Sequence, residues 1–250
     1  MTAAIRSSGR SERGLVAVVL ALAAAAWALT AVRMDGMDAG PGSPLGGLGW
    51  FAVSWLVMTA AMMLPAIAPM VAAYDRRAMR PDATAGFAAG YLLAWLAAGL
   101  VGYAGIEAVR SLHPGFLAWS DGGRYVAAAV IAGAGLYQLT AAKGACLGRC
   151  RERATFIREH WRPGGLGALR MGVEHGGACV GCSWALMAAL FALGAMSLTW
   201  MVLVSVLIAA ERLLPQPTRL GVALVLTVLA AGVALVPGDV PALTIPTSMA

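Results

Sequence analysis

Six stretches of the chain carry no charged residue over 18 positions or more: 14–32, 39–74, 83–106, 125–142, 176–210 and 220–238. About 20 consecutive apolar residues cross a bilayer as a helix. In hydrocarbon the backbone must satisfy its own hydrogen bonds, which leaves helices or closed barrels. Runs this long lack the alternation of a barrel strand, so they predict an all-α, polytopic transmembrane bundle forming a single integral membrane domain. Composition excludes the alternatives. Apolar residues make up 60% of the 250 positions and charged residues 12%, against about 25% charged in a soluble protein. So few charges cannot cover a soluble surface, and so much apolar side chain cannot stay disordered in water.

The runs give spans near 14–32, 48–74, 85–107, 124–142, 176–194, 197–211 and 219–237. The stretch before Leu48 is rich in Gly and Pro and reads as a loop. The run 176–210 would measure roughly 52 Å as one helix, well beyond a hydrocarbon core of about 30 Å. It is either one tilted span or two short ones that break near Gly194–Ser197. Charge favours the break. With seven spans and a cytoplasmic N-terminus, 15 of the 18 Lys and Arg residues fall on the inner side, against 13 with six spans. The first span follows Arg6, Arg10 and Arg13 and is longer than a signal-peptide core, which makes it an uncleaved anchor. The segment 143–174 is then a polar cytoplasmic loop. The net charge of +6 follows from a basic inner face beside anionic lipid and asks for no nucleic acid. Glycines four apart (Gly86 and Gly90, Gly172 and Gly176, Gly177 and Gly181) suit close helix packing, but such spacing also arises by chance in a chain this rich in Gly and Ala.

All four cysteines lie in one window. Cys146 and Cys150 are four apart and Cys179 and Cys182 three apart, so on helices each pair shares a face. The topology puts both pairs at the inner end of two neighbouring spans, where four thiols can converge. Thiolates select soft ions such as Cu(I) and Zn(II). Lys143, Arg149 and Arg151 would favour the thiolate form, and His175, four before Cys179, could add an imidazole. A disulfide is disfavoured in a reducing compartment. The competing view, that these cysteines are small packing residues, accounts poorly for two close pairs at one membrane face.

Thirteen methionines form a second feature. Met34 and Met37 lie just outside the first span, where thioethers could take Cu(I) without deprotonation. Met58 and Met62 share a face of the second span, with Met63 beside them and the helix-disturbing Pro65 and Pro69 just beyond. Many of the thirteen do no more than fill gaps between helices. Glu211 and Arg212 read as an interfacial pair. No nucleotide motif, Ser/His/Asp set or buried carboxylate pair is evident, so proton-coupled or ATP-driven pumping has no visible engine in this sequence.

The segments Met58-Thr59-Ala60-Ala61-Met62-Met63-Leu64-Pro65, Tyr137-Gln138…Lys143…Cys146…Cys150-Arg151, Cys179-Val180-Gly181-Cys182…Trp184 and Leu198-Thr199-Trp200-Met201…Glu211-Arg212 resemble a bacterial family described as predicted metal-binding integral membrane proteins. The likeness runs from about the first span to Pro215. Some members of that family are associated with copper enzymes and viewed as membrane copper chaperones. The resemblance points to the four cysteines and the Met-Met-Leu-Pro segment. It departs at Ser183, where a further cysteine is expected, and at Ser197, where Asn is expected. The first departure removes a three-thiol cluster from the fifth span.

These readings describe a multi-pass protein of the bacterial inner membrane. It would handle Cu(I), with zinc the alternative metal, and transfer it or deliver it to a copper enzyme or metal carrier. Met34 and Met37 would exchange the ion outside, Met58, Met62 and Met63 would relay it, and the cysteines would hold it inside. The chain is not expected to be an enzyme; a homo-oligomer is compatible with it. The rival readings are a quinone-linked thiol oxidoreductase and a structural subunit of a membrane complex.

Overall fold

The computed structural model describes residues 2–34, 46–111, 122–194, 197–214 and 218–235. Among them the chain is helical throughout, with no strand, in nine helices: α1 Thr2–Met34, α2 Leu48–Ala78, α3 Pro81–Ser111, α4 Arg124–Gln138, α5 Ala141–Arg151, α6 Arg153–His160, α7 Gly164–Gly194, α8 Leu198–Leu213 and α9 Thr218–Leu235. The all-α expectation holds. Five helices, α1, α2, α3, α7 and α9, are long and apolar enough to cross a membrane, or six if α4 and α5 count as one bent span. The seven expected spans are therefore not reached. The shortfall is α8, whose 16 residues reach only about 24 Å at 1.5 Å each.

Helix ends follow local chemistry. Helix α2 runs unbroken through Pro65 and Pro69 and stops at Met79, whose left-handed φ of 51° turns its N–H back to the Asp75 carbonyl. Pro81 then opens α3, where its lack of an N–H costs nothing. Thr84 Oγ1 donates to Asp75 Oδ1 at 2.7 Å and ties the turn. Helices α4 and α5 meet at a bend of 66°. Thr140 makes that bend, because its hydroxyl accepts from the Lys143 N–H and starts a new helix. Gly194, at φ 109°, ends α7, and extended Ser197 precedes α8. The break expected near Gly194–Ser197 is thus present. The stretch 143–174, expected as a loop, instead holds most of α5, all of α6 and the first turns of α7.

Helix α7 is central and touches α3, α4, α5 and α8, while α2 touches α1, α3, α6 and α8. Helices α3 and α7 run in the same direction and meet backbone to backbone. A Cβ on Gly90 would lie 2.0 Å from the Leu169 carbonyl oxygen, and one on Gly172 would lie 2.1 Å from that of Phe87. Gly86 and Gly176 line the same seam, whereas Gly177 has nothing within 4 Å. The glycine spacing that chance could explain is here the contact itself. Replacing Gly172 by Val should cost about 3 kcal/mol or more, because the obstacle is backbone that cannot swing away. Gly177→Ala should be neutral. Thermal unfolding in detergent checks both, and equal melting of the two variants would contradict this packing.

Candidate metal centre

Helix α5 crosses α7 beside the C-terminal end of α8, and the crossing collects the thiols. Cys150 Sγ and Cys182 Sγ stand 3.6 Å apart. Cys182 is buried, with its Sγ 3.2 Å from the Cys179 carbonyl and 3.5 Å from Ser183 Oγ. The buried hydroxyl of Ser183 thus occupies the place where the resemblance suggested another cysteine. Cys179, one turn earlier on α7, is fully buried and hydrogen-bonded to the Tyr91 hydroxyl at 2.9 Å. Cys146 lies at the same crossing but faces Gly181, where a Cβ would come within 3.2 Å of its sulfur. A bare Gly181 lets α5 come this close. All four cysteines are free thiols.

The cation at the thiols is Arg212. Its Nη2 donates to Cys179 Sγ and lies 3.5 Å from Cys182 Sγ. The basic residues expected beside the thiols have other partners. Lys143 Nζ donates to the Cys182 carbonyl and to Glu211 Oε2, the latter at 2.6 Å, with side-chain exposures of 0% and 2% for the ion pair. Arg151 Nη2 donates to the carbonyls of Glu211 and Leu214, and Arg149 is exposed. Nor do Glu211 and Arg212 pair with each other, as an interfacial reading expected: one binds Lys143 and the other the sulfurs.

These cations also solve a problem of helix ends. The last carbonyls of a helix have no partner within it, and both α4 and α8 end here. Arg151 serves the end of α8. Arg219 Nε donates to the Gln138 carbonyl at 2.9 Å and its Nη2 to the Thr140 carbonyl at 2.8 Å, which serves the end of α4. Tyr137 hydroxyl donates to the Gly181 carbonyl at 2.8 Å and ties α4 to α7 beside the thiols.

The remaining expected ligands are dispersed. His175 is buried one turn before Cys179, packed against the rings of Phe87, Tyr91 and Phe156, with Nδ1 unpartnered. Met58, Met62 and Met63 are all buried in the core cluster, which also includes Met70, Met187 and Met201. Met34 closes α1, though its side chain, like the whole of Met37, lies outside the described residues. No three His, Cys, Asp or Glu side chains among the described residues are gathered so as to hold one ion. The close arrangement is therefore the Cys150–Cys182 pair, flanked by Cys179 and Arg212.

Sequence reasoning missed Arg212, Tyr91 and the role of the Lys143–Glu211 pair. A signal existed for the charged three, since an ionisable residue at the end of an apolar run merits a functional hypothesis. Tyr91 gave none, being one aromatic residue in an apolar helix.

Comparisons with curated proteins and with solved structures give no match. A family model described as copper chaperone, PpoB2, matches residues 52–235. That span runs from α2 to the end of α9 and takes in all four cysteines, Lys143, Glu211 and Arg212. It covers most of the chain, and its description agrees with the resemblance carried by the Met-Met-Leu-Pro and cysteine segments. The chain belongs to the PpoB2 family of copper chaperones.

Proposed function

We propose that the protein is a membrane copper chaperone that holds Cu(I) on thiolates where α5 crosses α7, and passes it to a copper enzyme by ligand exchange. The observation that carries this reading is the 3.6 Å separation of Cys150 Sγ and Cys182 Sγ beside the Arg212 guanidinium. With metal–sulfur bonds of about 2.3 Å, two thiolates on one ion lie about 3.8 Å apart at a tetrahedral angle and up to about 4.6 Å apart when collinear. To share a two-coordinate Cu(I), this pair must part by up to about 1 Å.

Charge balance favours copper over zinc. A buried charge is costly unless paired. Two thiolates and Cu(I) leave one negative charge, which Arg212 neutralises, while Lys143 and Glu211 cancel each other. Zn(II) with the same two thiolates would leave Arg212 uncompensated, and zinc takes four protein donors in a structural site. Thiolate softness points the same way.

Met58, Met62 and Met63 supply thioethers in the core for a relay, with Met34 and Met37 as the exchange point at the other end. His175 is a reserve donor one turn from Cys179. The assignment of the cysteine end to the cytoplasm of a bacterial inner membrane is supported by the arginines of α2, α5 and α6 that collect there.

Protein purified anaerobically in detergent with Cu(I) and Zn(II) both present should carry about one copper per chain and no stoichiometric zinc. A preparation holding zinc, or no metal, would contradict the proposal. Arg212→Gln should weaken Cu(I) binding by about 10- to 100-fold, the usual cost of a lost outer partner, and Arg212→Lys should restore part of it. Competition with a Cu(I) chelator measures both. Unchanged affinity in Arg212→Gln would remove the charge argument.

One observation also favours a second reading. Sulfurs at 3.6 Å could form a disulfide, giving two electrons and two protons to a quinone. Thiol titration of the protein before and after a water-soluble quinone separates the two readings: chaperone thiols stay reduced, oxidoreductase thiols do not.

A further inference from the structure

We infer that the protein binds the phosphate headgroup of an anionic phospholipid in an arginine-lined cleft, separate from the thiol pair. The cleft, of about 1030 Å³, opens between α1, the C-terminal half of α2, and the α5–α6 segment. Arg76, Arg77, Arg151, Arg153 and Arg158 line it, and the one acid on its wall is Glu152. By formal charge the lining therefore carries five guanidinium groups against one carboxylate.

Topology alone asks only that basic residues lie on the inner side, scattered as the chain allows. Here they converge from two distant segments, and every one is arginine, whose planar fork suits phosphate oxygens better than a lysine ammonium. Among the described residues, Arg77, Arg151, Arg153 and Arg158 form no ion pair with an acid. Arg151 bonds neutral carbonyls, and the Arg77 guanidinium lies over the Trp161 ring at 5.2 Å. Arg153 and Arg158 are exposed and have no ion-pair partner among the described residues.

The apolar part of the lining decides which phosphate. Val16 of α1 and Pro69, Ala72 and Ala73 of α2 line the cleft beside the arginines, on two helices that are apolar enough to span a bilayer. A free phosphate would gain nothing from that part of the lining. A phospholipid would lay its acyl chains along it while its headgroup met the arginines, as in basic pockets between transmembrane helices that hold anionic lipid.

The test is isothermal titration of the full chain in detergent with dihexanoyl phosphatidylglycerol, dihexanoyl phosphatidylcholine and sodium phosphate. Wild type is compared with Arg153→Gln/Arg158→Gln, whose exposed positions leave the fold intact. Wild type should bind phosphatidylglycerol about thirty-fold more tightly than the variant, at roughly five-fold per arginine near a membrane surface, and should bind the other two ligands more weakly. Equal affinity of wild type and variant would overturn the inference. So would phosphatidylcholine binding as tightly as phosphatidylglycerol, which would make the site merely apolar. Inorganic phosphate matching phosphatidylglycerol would make it a free-anion site instead. None of these outcomes depends on copper, so the inference stands or falls apart from the chaperone reading.

Discussion

Lys143→Met is expected to destabilise the protein by about 3–5 kcal/mol, the usual cost of leaving a buried charge without its partner. The residue left behind is Glu211, 2% exposed, whose Oε2 loses its 2.6 Å contact and whose Oε1 already has no hydrogen bond. The same change removes the donor to the Cys182 carbonyl, so three helices, α5, α7 and α8, lose a common anchor. Removing both charges together should behave differently. Lys143→Met/Glu211→Leu replaces an ion pair with apolar packing, which is often neutral or stabilising. Thermal unfolding in detergent should therefore show a large drop for the single variant and substantial recovery in the double. If the single variant melts with wild type, the pair does not hold these helices. If the double melts no higher than the single, the damage lies in packing rather than in an unpaired charge.

The second large effect concerns the thiols. Cys182→Ser should weaken Cu(I) binding by at least about 100-fold, since loss of an outer partner alone costs up to that much and Cys182 is placed as a direct ligand. Cys150→Ser should do likewise. Cys146→Ser should leave affinity unchanged, because its sulfur faces Gly181 rather than the pair. Chelator competition on the three variants gives the ranking. A loss in Cys146→Ser equal to that in Cys182→Ser would mean that the four thiols act as one cluster, and the two-thiolate account would fail.

Part of this arrangement was legible from spacing. Thiols three and four apart suggested that each pair shares a helix face, but the close contact is between the pairs, Cys150 with Cys182, while Cys146 faces Gly181. The break between α7 and α8 was legible because 35 uncharged residues exceed a bilayer. Other features were hidden for physical reasons. Helices α5 and α6 carry little apolar periodicity and are interrupted at Glu152 and by Pro163, so they looked like loop. The α3–α7 seam uses glycines that a Gly-rich chain scatters freely, and only the approach of Leu169 and Phe87 carbonyls distinguishes them. Helix α8 was counted as a span because its residues are apolar, although 16 of them are too few. Arg212 and Glu211, adjacent and opposite in charge, invited pairing with each other. Consecutive helical residues point about 100° apart, however, and each found its partner on a different neighbour.

The central claim is that Cys150 and Cys182 hold Cu(I) together, with Arg212 as the balancing charge. X-ray absorption at the copper edge, on the anaerobic Cu(I)-loaded protein, tests it most directly. The account predicts a low-coordinate copper with an all-sulfur shell, lost in Cys150→Ser/Cys182→Ser. A shell dominated by nitrogen or oxygen, or a sulfur shell that survives in the double variant, would contradict it.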